Sequence, residues 1–292
     1  MTRAGEALAA LARRLEPVST TPALDAELLL VHALGAGRAA LAAHPERPLA
    51  PAELAALEAL AARRQRGEPV AYLTGRREFW SLDLTVTPEV LVPRPETELV
   101  VEMALEVIAG AVRPAVLDLG TGSGAIALAI ARERPDAAVT AVDASGEALA
   151  VAADNAARLG LANVRFLHGD WFGPVAGSRF DLVASNPPYL AAAEPALAAL
   201  AHEPRAALVA GPNGLEALAG ICSGAPAALR PGGVLVVEHG ATQGAGVRAL
   251  MARAGFADVA TRRDLAGRER ATQGRMPPDA LESATGPGER SR

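Results

Sequence analysis

The sequence predicts an α/β protein in which a doubly wound, mostly parallel sheet of seven strands follows a small α-helical N-terminal domain. Three observations support this fold class. Apolar residues recur at helical spacing in the first quarter of the chain, strand-like segments alternate with helical ones from Pro95 onward, and two late strand-like segments follow each other with no helix between them. These last two segments are expected to pair as an antiparallel hairpin at one edge of the sheet.

Residues 1–74 carry the pattern of short amphipathic helices. Leu11 lies on the apolar face of the first helical segment, and Pro22 and Pro51 stand where a helix can begin, because proline is favoured at the first helical position. The helix that begins at Pro51 is expected to end near Gly67, since glycine is common just after the last turn. These residues are therefore predicted to form a helical domain of their own.

A β-hairpin is predicted for the linker, residues 75–94, because apolar residues surround turn-forming ones between Glu78 and Val92. Residues 95–276 are predicted to form the domain that carries the sheet, and the polar, proline-rich residues 277–292 a disordered tail. The seven strands of the sheet are predicted at Ala115–Leu119, Ala138–Asp143, Val164–His168, Phe180–Ser185, Val234–His239, Ala257–Asp264 and Arg268–Arg275.

The composition fits a globular protein and excludes the disordered and fibrous classes, because half of the 292 residues are hydrophobic and about a fifth are charged. Cys222 is the single cysteine, no secretory signal pattern opens the chain, and no apolar stretch reaches the roughly 18 residues that suggest a membrane span. A cytoplasmic location without membrane contact is therefore expected. The formal net charge of -5 argues against a grip on a long phosphate backbone, so no nucleic-acid substrate is expected.

A glycine-rich loop follows the first strand of the sheet. Strand Ala115–Leu119 runs into Gly120-Thr121-Gly122-Ser123-Gly124 and then into a helix. The glycines allow a sharp turn and a close approach of a ligand to the N–H groups at the start of that helix. Asp143 ends the next strand, about 20 residues later, where a carboxylate can accept hydrogen bonds from both hydroxyls of a ribose. The pattern predicts a nucleotide-like ligand, and by itself it fits a methyl donor and a dinucleotide equally well.

A pair of residues that follows the third strand is predicted to belong to the same ligand site. Asp170 and Trp171 follow Val164–His168, where the adenine ring of a nucleotide-like ligand is expected to lie. Asp170 can accept a hydrogen bond from the adenine amino group, and Trp171 can cover a flat face of the ring. Packing of the Trp171 side chain against the sheet is the alternative interpretation.

The tetrapeptide Asn186-Pro187-Pro188-Tyr189 stands at the end of the fourth strand, beside the strand of the glycine loop. Ligands of such sheets bind at this edge. The two prolines lack N–H donors and fix φ, so they hold a carbonyl group in one direction. The side-chain oxygen of Asn186 and the carbonyl oxygen of Pro187 can each accept one hydrogen of an –NH2 group, while Tyr189 lies against the planar group that carries it.

This arrangement suits methyl transfer to a planar nitrogen. An amide nitrogen gives its lone pair to the adjacent carbonyl and is a poor nucleophile. Two hydrogen bonds from its N–H groups favour a more tetrahedral nitrogen with its lone pair aimed at the methyl group, and holding the two reactants in line lowers the barrier further. No metal and no covalent intermediate are required. Asn186, Pro187 and Tyr189 are therefore the predicted catalytic residues, and the tetrapeptide alone leaves adenine and glutamine open as substrates.

The sequence resembles the HemK/PrmC family of peptide chain release factor glutamine methyltransferases over nearly its whole length. The matching segments are Tyr72-Leu73-Thr74-Gly75 with Phe79-Trp80, Val92 to Glu98, Asp118 to Ala125, Asp170-Trp171-Phe172, Ser185 to Tyr189, and Glu238-His239-Gly240. The resemblance implies a Rossmann-like class I methyltransferase sheet and methylation of the glutamine in the Gly-Gly-Gln loop of release factors. It implies that Gly120–Gly124, Asp143, Trp171 and Asn186 bind S-adenosyl-L-methionine, and that Asn186–Tyr189 bind the substrate glutamine. The helices of residues 1–74 would then recognise the release factor.

Other functions are also compatible with these motifs. The sister enzymes that methylate a glutamine of a large-subunit ribosomal protein differ after Pro93-Arg94, so Pro95-Glu96-Thr97-Glu98 favours release factors. A DNA adenine N6-methyltransferase uses the same tetrapeptide, but it must flip a base and grip phosphates, which the acidic balance disfavours. An NAD-binding oxidoreductase or a silent nucleotide-binding module also fits the glycine loop, although the oxidoreductase needs a catalytic acid or base that the sequence does not indicate.

Overall fold

The computed structural model of the protein describes residues 2–278, and the chain divides into two compact units. One unit comprises the residues up to Arg76 together with Val86–Pro88, and the other comprises Arg77–Thr85 and the residues from Glu89 onward. The predicted disordered tail lies outside the described residues, apart from its first two prolines.

The first unit is helical. Its helices are α1 (Ala4–Leu15), α2 (Pro22–Leu34), α3 (Arg38–Ala43), α4 (Pro51–Gln65) and α5 (Val70–Thr74). Proline occupies the first position of α2 and α4, as predicted, and Gly35 ends α2 in the left-handed conformation that glycine adopts at little cost. Leu11, Leu15, Leu29 and Leu30 form the centre of its apolar core.

A two-stranded hairpin opens the second unit. Strand β1 (Arg76–Phe79) and strand β2 (Leu82–Thr85) are joined by a two-residue turn in which Trp80 and Ser81 both have positive φ angles, of 51° and 57°. The predicted hairpin is therefore correct in kind but too long, because residues 86–94 contain no strand. Pro88 and Pro93 lack the N–H groups that a longer ladder would need.

The second unit is built around a seven-stranded sheet with the order β5-β4-β3-β6-β7-β9-β8, in which β9 pairs antiparallel with both of its neighbours. The predicted seven-stranded sheet and its antiparallel edge are confirmed. Its strands are β3 (Ala115–Leu119), β4 (Ala138–Asp143), β5 (Val164–His168), β6 (Phe180–Ser185), β7 (Leu229–Glu238), β8 (Ala257–Arg263) and β9 (Glu269–Arg275). The helices around it are α6 (Glu98–Ile108), α7 (Ala125–Glu133), α8 (Gly146–Leu159), α9 (Glu216–Ala228) and α10 (Gly244–Arg253).

Two apolar clusters cover the faces of this sheet. One includes the buried side chains of α6 and α7, and the other includes those of α9 and α10. Every residue of α7 from Ala125 to Ala131 is buried, which explains why alanine is so frequent there. Within residues 2–278, none of the helices is long and apolar enough to cross a membrane.

The order of the strands brings the chemistry to one edge. The parallel strands β3, β4, β6 and β7 end next to one another, at Leu119, Asp143, Ser185 and Glu238. Because parallel strands present their carboxyl ends at the same edge of the sheet, the glycine loop and the tetrapeptide leave it side by side.

Candidate functional site

The glycine loop continues from β3 and is held against the end of β4. The N–H groups of Gly120 and Thr121 both donate to the Val142 carbonyl oxygen, at 2.9 and 3.0 Å. Gly120, Gly122 and Gly124 have φ angles of 70°, 55° and 86°, a region that favours glycine. A Cβ atom on Gly122 would meet no described atom within 4 Å, so this part of the loop presents bare backbone to open space.

Asp118, on β3, is hydrogen-bonded to the glycine loop and to the helix that follows it. Its carboxylate oxygen Oδ2 accepts hydrogen bonds from the Thr121 hydroxyl at 2.6 Å and from the Ala127 N–H at 3.2 Å. Its second oxygen, Oδ1, is buried and accepts no hydrogen bond from the described residues. Burial raises the pKa of Asp118 to about 7, although the two hydrogen bonds oppose this shift. The sequence indicated Asp118 only as part of a matching motif and gave it no role.

Asp143 lies in direct contact with the loop. Its Oδ2 accepts the Gly122 N–H at 2.8 Å, and its Oδ1 accepts the Ser145 N–H at 2.9 Å. Each carboxylate oxygen has a second lone pair and can still accept a ligand hydroxyl. The structure thus brings the predicted acidic partner to the glycine loop.

Asn155 joins the glycine loop to the hairpin and was missed by the sequence analysis. It is fully buried on α8, and its Nδ2 group donates at 3.0 Å to both the Ser123 and Thr85 carbonyl oxygens. Its Oδ1 accepts the Thr85 N–H at 2.7 Å. The side chain therefore fixes the backbone of the loop beside Ser123.

Trp171 also reaches the loop. A Cβ atom on Gly120 would lie 3.9 Å from the Trp171 ring, and the ring itself is half-buried. The φ angle of Trp171 is 42°, which costs a residue with a side chain about 1 kcal/mol or more. Asp170 is exposed, and its carbonyl oxygen accepts the Gly173 N–H at 2.9 Å. The Trp171 ring therefore lies near Gly120 of the glycine loop.

The tetrapeptide leaves β6 at the same level as the glycine loop leaves β3. Leu119 pairs with Ser185, and the Ser185 hydroxyl donates to the Leu119 carbonyl oxygen at 2.7 Å. The next residue, Asn186, donates from Nδ2 to the Thr97 hydroxyl oxygen at 3.1 Å. The amide group of Asn186 is thereby oriented, and its Oδ1 atom is left to accept a hydrogen bond from a ligand.

Tyr189 is held at both ends. Its hydroxyl donates to Glu238 Oε1 at 3.1 Å, and its carbonyl oxygen accepts a hydrogen bond from Gln243 Nε2 at 2.9 Å. Burial, together with the nearby Glu238 charge, raises the pKa of the Tyr189 hydroxyl above its usual range. The hydroxyl therefore stays protonated and anchors the ring.

Glu238 lies behind the tetrapeptide at the end of β7 and is only 1% exposed. Burial raises the pKa of its carboxyl group to about 7, while the Thr97 hydroxyl, the Arg270 charge and the Tyr189 hydroxyl oppose the shift. Neither Glu238 nor Gln243 was assigned a role from the sequence, although Glu238 stands in one of the motifs that match the family.

The segment from Val92 to Glu98 makes contacts at almost every residue. Arg94 forms an ion pair with the buried carboxylate of Glu203, and Glu203 also accepts the Val92 N–H at 3.1 Å. Glu98 accepts the Trp80 N–H at 2.9 Å. A short 3-10 turn, Pro95–Thr97, runs directly into α6 and presents Thr97 to Asn186. The segment is thus both a rigid start to a helix and a part of the site.

A cavity of about 740 Å³ lies elsewhere in the second unit, at the amino ends of β3, β4, β5 and β6, where Arg113, Asp136 and Arg179 line it. It contains none of the predicted site residues. Within residues 2–278 no group of three or more His, Cys, Asp or Glu residues is placed to hold a metal ion. The absence of a metal cofactor remains a prediction.

Known proteins are similar to this chain over most of its length. A family model described as the PrmC N-terminal domain matches residues 6–75, and one described as a methyltransferase domain matches residues 113–262. The chain is 52% identical over 272 residues to a release factor glutamine methyltransferase of Xylella fastidiosa strain Temecula1, covering 92% of this chain and 97% of that one. It is also 52% identical over 277 residues to a release factor glutamine methyltransferase of Burkholderia pseudomallei, with the same coverage of both chains.

A solved methyltransferase from Pyrococcus furiosus is similar in fold. It matches 74% of this chain and 97% of its own, with 19% identity and a TM-score of 0.52. At this identity the likeness concerns the fold alone, and it agrees with the methyltransferase sheet predicted from the sequence.

Proposed function

The chain belongs to the family of release factor glutamine methyltransferases, and from this premise we propose that it methylates the side-chain amide nitrogen of the glutamine in the Gly-Gly-Gln motif of peptide chain release factors, with S-adenosyl-L-methionine as donor. One observation carries the proposal. Asn186, whose amide is oriented by its hydrogen bond to Thr97, follows the end of β6, and the glycine loop follows the paired end of the neighbouring strand β3.

The glycine loop and its neighbours fit the donor. When bound, S-adenosyl-L-methionine supplies an electrophilic methyl group on a sulfonium sulfur. Bare backbone at Gly122 allows close approach, the Asp143 carboxylate keeps lone pairs for the ribose hydroxyls, and the Trp171 ring can cover the adenine. In this proposal Asp170 accepts from the adenine amino group, and the remaining loop residues, Gly120, Thr121, Ser123 and Gly124, line the donor site.

The tetrapeptide binds the acceptor nitrogen. Oδ1 of Asn186 and the carbonyl oxygen of Pro187 each accept one N–H of the glutamine side chain, and Pro188 fixes the direction of the turn. The ring of Tyr189, anchored through its hydroxyl, supports the plane of the amide. With both hydrogens held, the nitrogen lone pair is directed out of the amide plane toward the methyl group, which lowers the barrier for an in-line transfer.

Proton transfer follows the new bond rather than preceding it. No side chain of this site can remove a proton from a neutral amide nitrogen at neutral pH, because the gap in acidity is too large. After the methyl group has been transferred the nitrogen is cationic and strongly acidic, so its proton leaves readily to an acceptor or to water. Catalysis is therefore assigned to Asn186, Pro187 and Tyr189 as groups that hold and align the amide.

Transfer of labelled methyl groups to a purified release factor tests this proposal. We expect label on the wild-type release factor, none on a release factor whose Gly-Gly-Gln glutamine is replaced, and none on a large-subunit ribosomal protein. Label on the glutamine-replaced control would contradict the proposed target. Label on the ribosomal protein alone would instead favour the sister activity. A rise in melting temperature with S-adenosyl-L-methionine and none with NAD would identify the donor separately.

Residues 1–74 are proposed to recognise a part of the release factor distant from the glutamine, with residues 75–94 as linker and residues 95–276 as the donor-binding methyltransferase domain. Deletion of residues 1–74 should then reduce methylation of the intact release factor more than that of a short Gly-Gly-Gln peptide. Thermal stabilisation by the donor shows whether the truncated chain is folded. Equal loss on both substrates by a folded truncation would contradict this role. A cytoplasmic location is proposed because release factors act there.

A further inference from the structure

The side chain of Gln243 joins three segments of the second unit at the end of the tetrapeptide. Its Nε2 group donates to the Tyr189 carbonyl oxygen at 2.9 Å and to the Gly214 carbonyl oxygen at 3.0 Å. Its Oε1 atom accepts the Gly240 N–H at 2.8 Å. Tyr189 and Gly214 are 54 and 29 residues away from Gln243 in the chain, so one amide group holds together segments that the sequence separates.

These contacts give the Gln243 amide a single orientation. Both hydrogens of its NH2 group go to carbonyl oxygens, and its oxygen receives an N–H group, so the reversed amide would set oxygen against two oxygens. The backbone of Gln243 is fixed as well. Its N–H donates to the Gly240 carbonyl oxygen at 2.9 Å, and its own carbonyl oxygen accepts the Val247 N–H at 3.0 Å, where α10 begins.

Two glycines allow the backbone to approach this amide closely. A Cβ atom on Gly214 would lie 2.6 Å from the Tyr189 carbonyl oxygen and 3.1 Å from Nε2 of Gln243. A Cβ atom on Gly240 would lie 3.0 Å from Oε1 of the same side chain. The φ angle of Gly214 is 76°, which also favours glycine. The tetrapeptide, the Gly214 segment and the turn after β7 are therefore packed around the Gln243 amide at backbone distance.

We propose that Gln243 is a positioning residue for methyl transfer, which fixes the backbone of Tyr189 and thereby the place of its ring against the substrate amide. This inference rests on the proposed function, in which the Tyr189 ring supports the plane of that amide. Glu238 holds the ring at its hydroxyl, and Gln243 holds the same residue at its carbonyl group. Without Gln243, the peptide group after Tyr189 keeps the hydrogen bond from the Leu190 N–H to the Leu208 carbonyl oxygen and can rotate about it.

Two substitutions at Gln243 separate its donor contacts from its acceptor contact. Gln243→Met has a similar length and makes none of the three hydrogen bonds. Gln243→Glu still accepts the Gly240 N–H, but its ionised carboxylate sets an oxygen against the carbonyl oxygens of Tyr189 and Gly214. We expect kcat to fall by about 10- to 100-fold in Gln243→Met and at least as far in Gln243→Glu, since a misplacement of about 1 Å can cost on the order of 100-fold.

A double variant tests whether Gln243 acts through Tyr189. Gln243→Met combined with Tyr189→Ala should be no more than about threefold slower than Tyr189→Ala alone, because the ring to be positioned is gone. A role in stability alone would lower activity by the same factor in both backgrounds. Gln273→Met is the matched control, since Gln273 lies half-buried on β9 and has no part in the proposed site; it should leave kcat unchanged.

The readouts are kcat on the release factor per donor-binding site, the Kd of S-adenosyl-L-methionine and the melting temperature of the full-length enzyme. We expect the donor Kd to stay within about twofold of wild type while kcat falls. Wild-type kcat in either Gln243 variant, an equal loss in the Tyr189→Ala background, or a loss explained by weaker donor binding would each overturn the inference alone. A wild-type enzyme that does not methylate the release factor would overturn the proposed function and this inference with it. If Gln243→Met does not fold, Gln243→Glu is judged by the same kcat, Kd and double-variant comparison.

Discussion

Replacing Tyr189 by Phe removes one hydroxyl and keeps the ring, so it measures what the hydroxyl contributes. That hydroxyl is the group that donates to Oε1 of Glu238, at 3.1 Å, in a region where Glu238 is 1% exposed. Because Oε2 of the same carboxyl already accepts no hydrogen bond of regular geometry within residues 2–278, the variant leaves a buried carboxyl with still fewer partners.

The expected cost is about 2 kcal/mol, since a hydrogen bond to a charged group contributes roughly 1.5–3 kcal/mol. For a unit of some 200 residues this lowers Tm by roughly 4–8 °C. Thermal unfolding of the full-length wild-type and variant proteins at pH 8 measures this difference in Tm. The same measurement at pH 5.5 should give a smaller cost, because the pKa of Glu238 is about 7 and its protonated form needs the hydroxyl less.

The two pH values distinguish this explanation from a general packing defect. A loss of packing would be similar at both pH values, whereas the loss of a donor to Glu238 grows as the carboxyl group ionises. A Tm within 1 °C of wild type at pH 8, or an equal loss at pH 5.5, would refute the reasoning about this hydrogen bond.

Three further substitutions test other parts of the site. Asn186→Ala should lower kcat by about 100-fold or more with little change in donor Kd, because it removes one of two amide acceptors; unchanged turnover would refute its role. Gly124→Ala should destabilise the protein and weaken donor binding, since Gly124 has a φ of 86° and the new Cβ would lie 2.9 Å from Leu128; a variant with wild-type Tm and Kd would count against this geometry. Glu238→Gln should change the pH dependence of stability. Because folding raises the pKa of Glu238 to about 7, its contribution is present below about pH 4.5 and is lost as the pH rises to 7, by up to about 1.4 kcal/mol per pH unit. The variant should therefore gain stability relative to wild type over that window, and a constant difference in urea-unfolding free energy from pH 4.5 to 7 would contradict the assignment.

Much of the fold could be predicted because its signals are local. The predicted and observed strands agree at Ala115–Leu119, Ala138–Asp143, Val164–His168 and Phe180–Ser185, each an apolar segment bounded by turn-forming residues. Strand β7 begins at Leu229, five residues earlier than predicted, because Pro231-Gly232-Gly233 normally breaks a strand. Here that tripeptide coincides with an irregularity in the β6–β7 register.

Two short helices were also not predicted from the sequence. α3 and α5 have six and five residues, too few for an apolar period to be recognised. Their position follows from the packing of Leu41 and Leu73 into the core of the first unit. The position of such a short helix is determined by tertiary contacts rather than by the residues next to it in the sequence.

The candidate site likewise has a part that could be predicted from the sequence and a part that could not. The glycine loop and the tetrapeptide are continuous motifs whose chemistry can be recognised from consecutive residues, and the structure places both at one edge of the sheet. The residues that orient them come from distant segments: Glu238 is 49 residues from Tyr189, and Thr97 is 89 residues from Asn186. Such contacts depend on strand order, which the sequence specifies only through the complete fold. The assignments of the donor-binding and substrate-binding residues remain predictions until a ligand is bound.

Peptide mass spectrometry of the methylated release factor tests the central claim most directly. After incubation with the enzyme and S-adenosyl-L-methionine, the peptide that contains Gly-Gly-Gln should gain one methyl group, about 14 Da for a CH2 increment, and fragmentation should place it on the glutamine side chain. At equal enzyme concentration and time, the Asn186→Ala variant should methylate only a small fraction of the peptide, because its kcat is expected to be about 100-fold lower. A methyl group on any other residue of that peptide, or full methylation by the Asn186 variant, would contradict the account of how this site selects and activates an amide nitrogen.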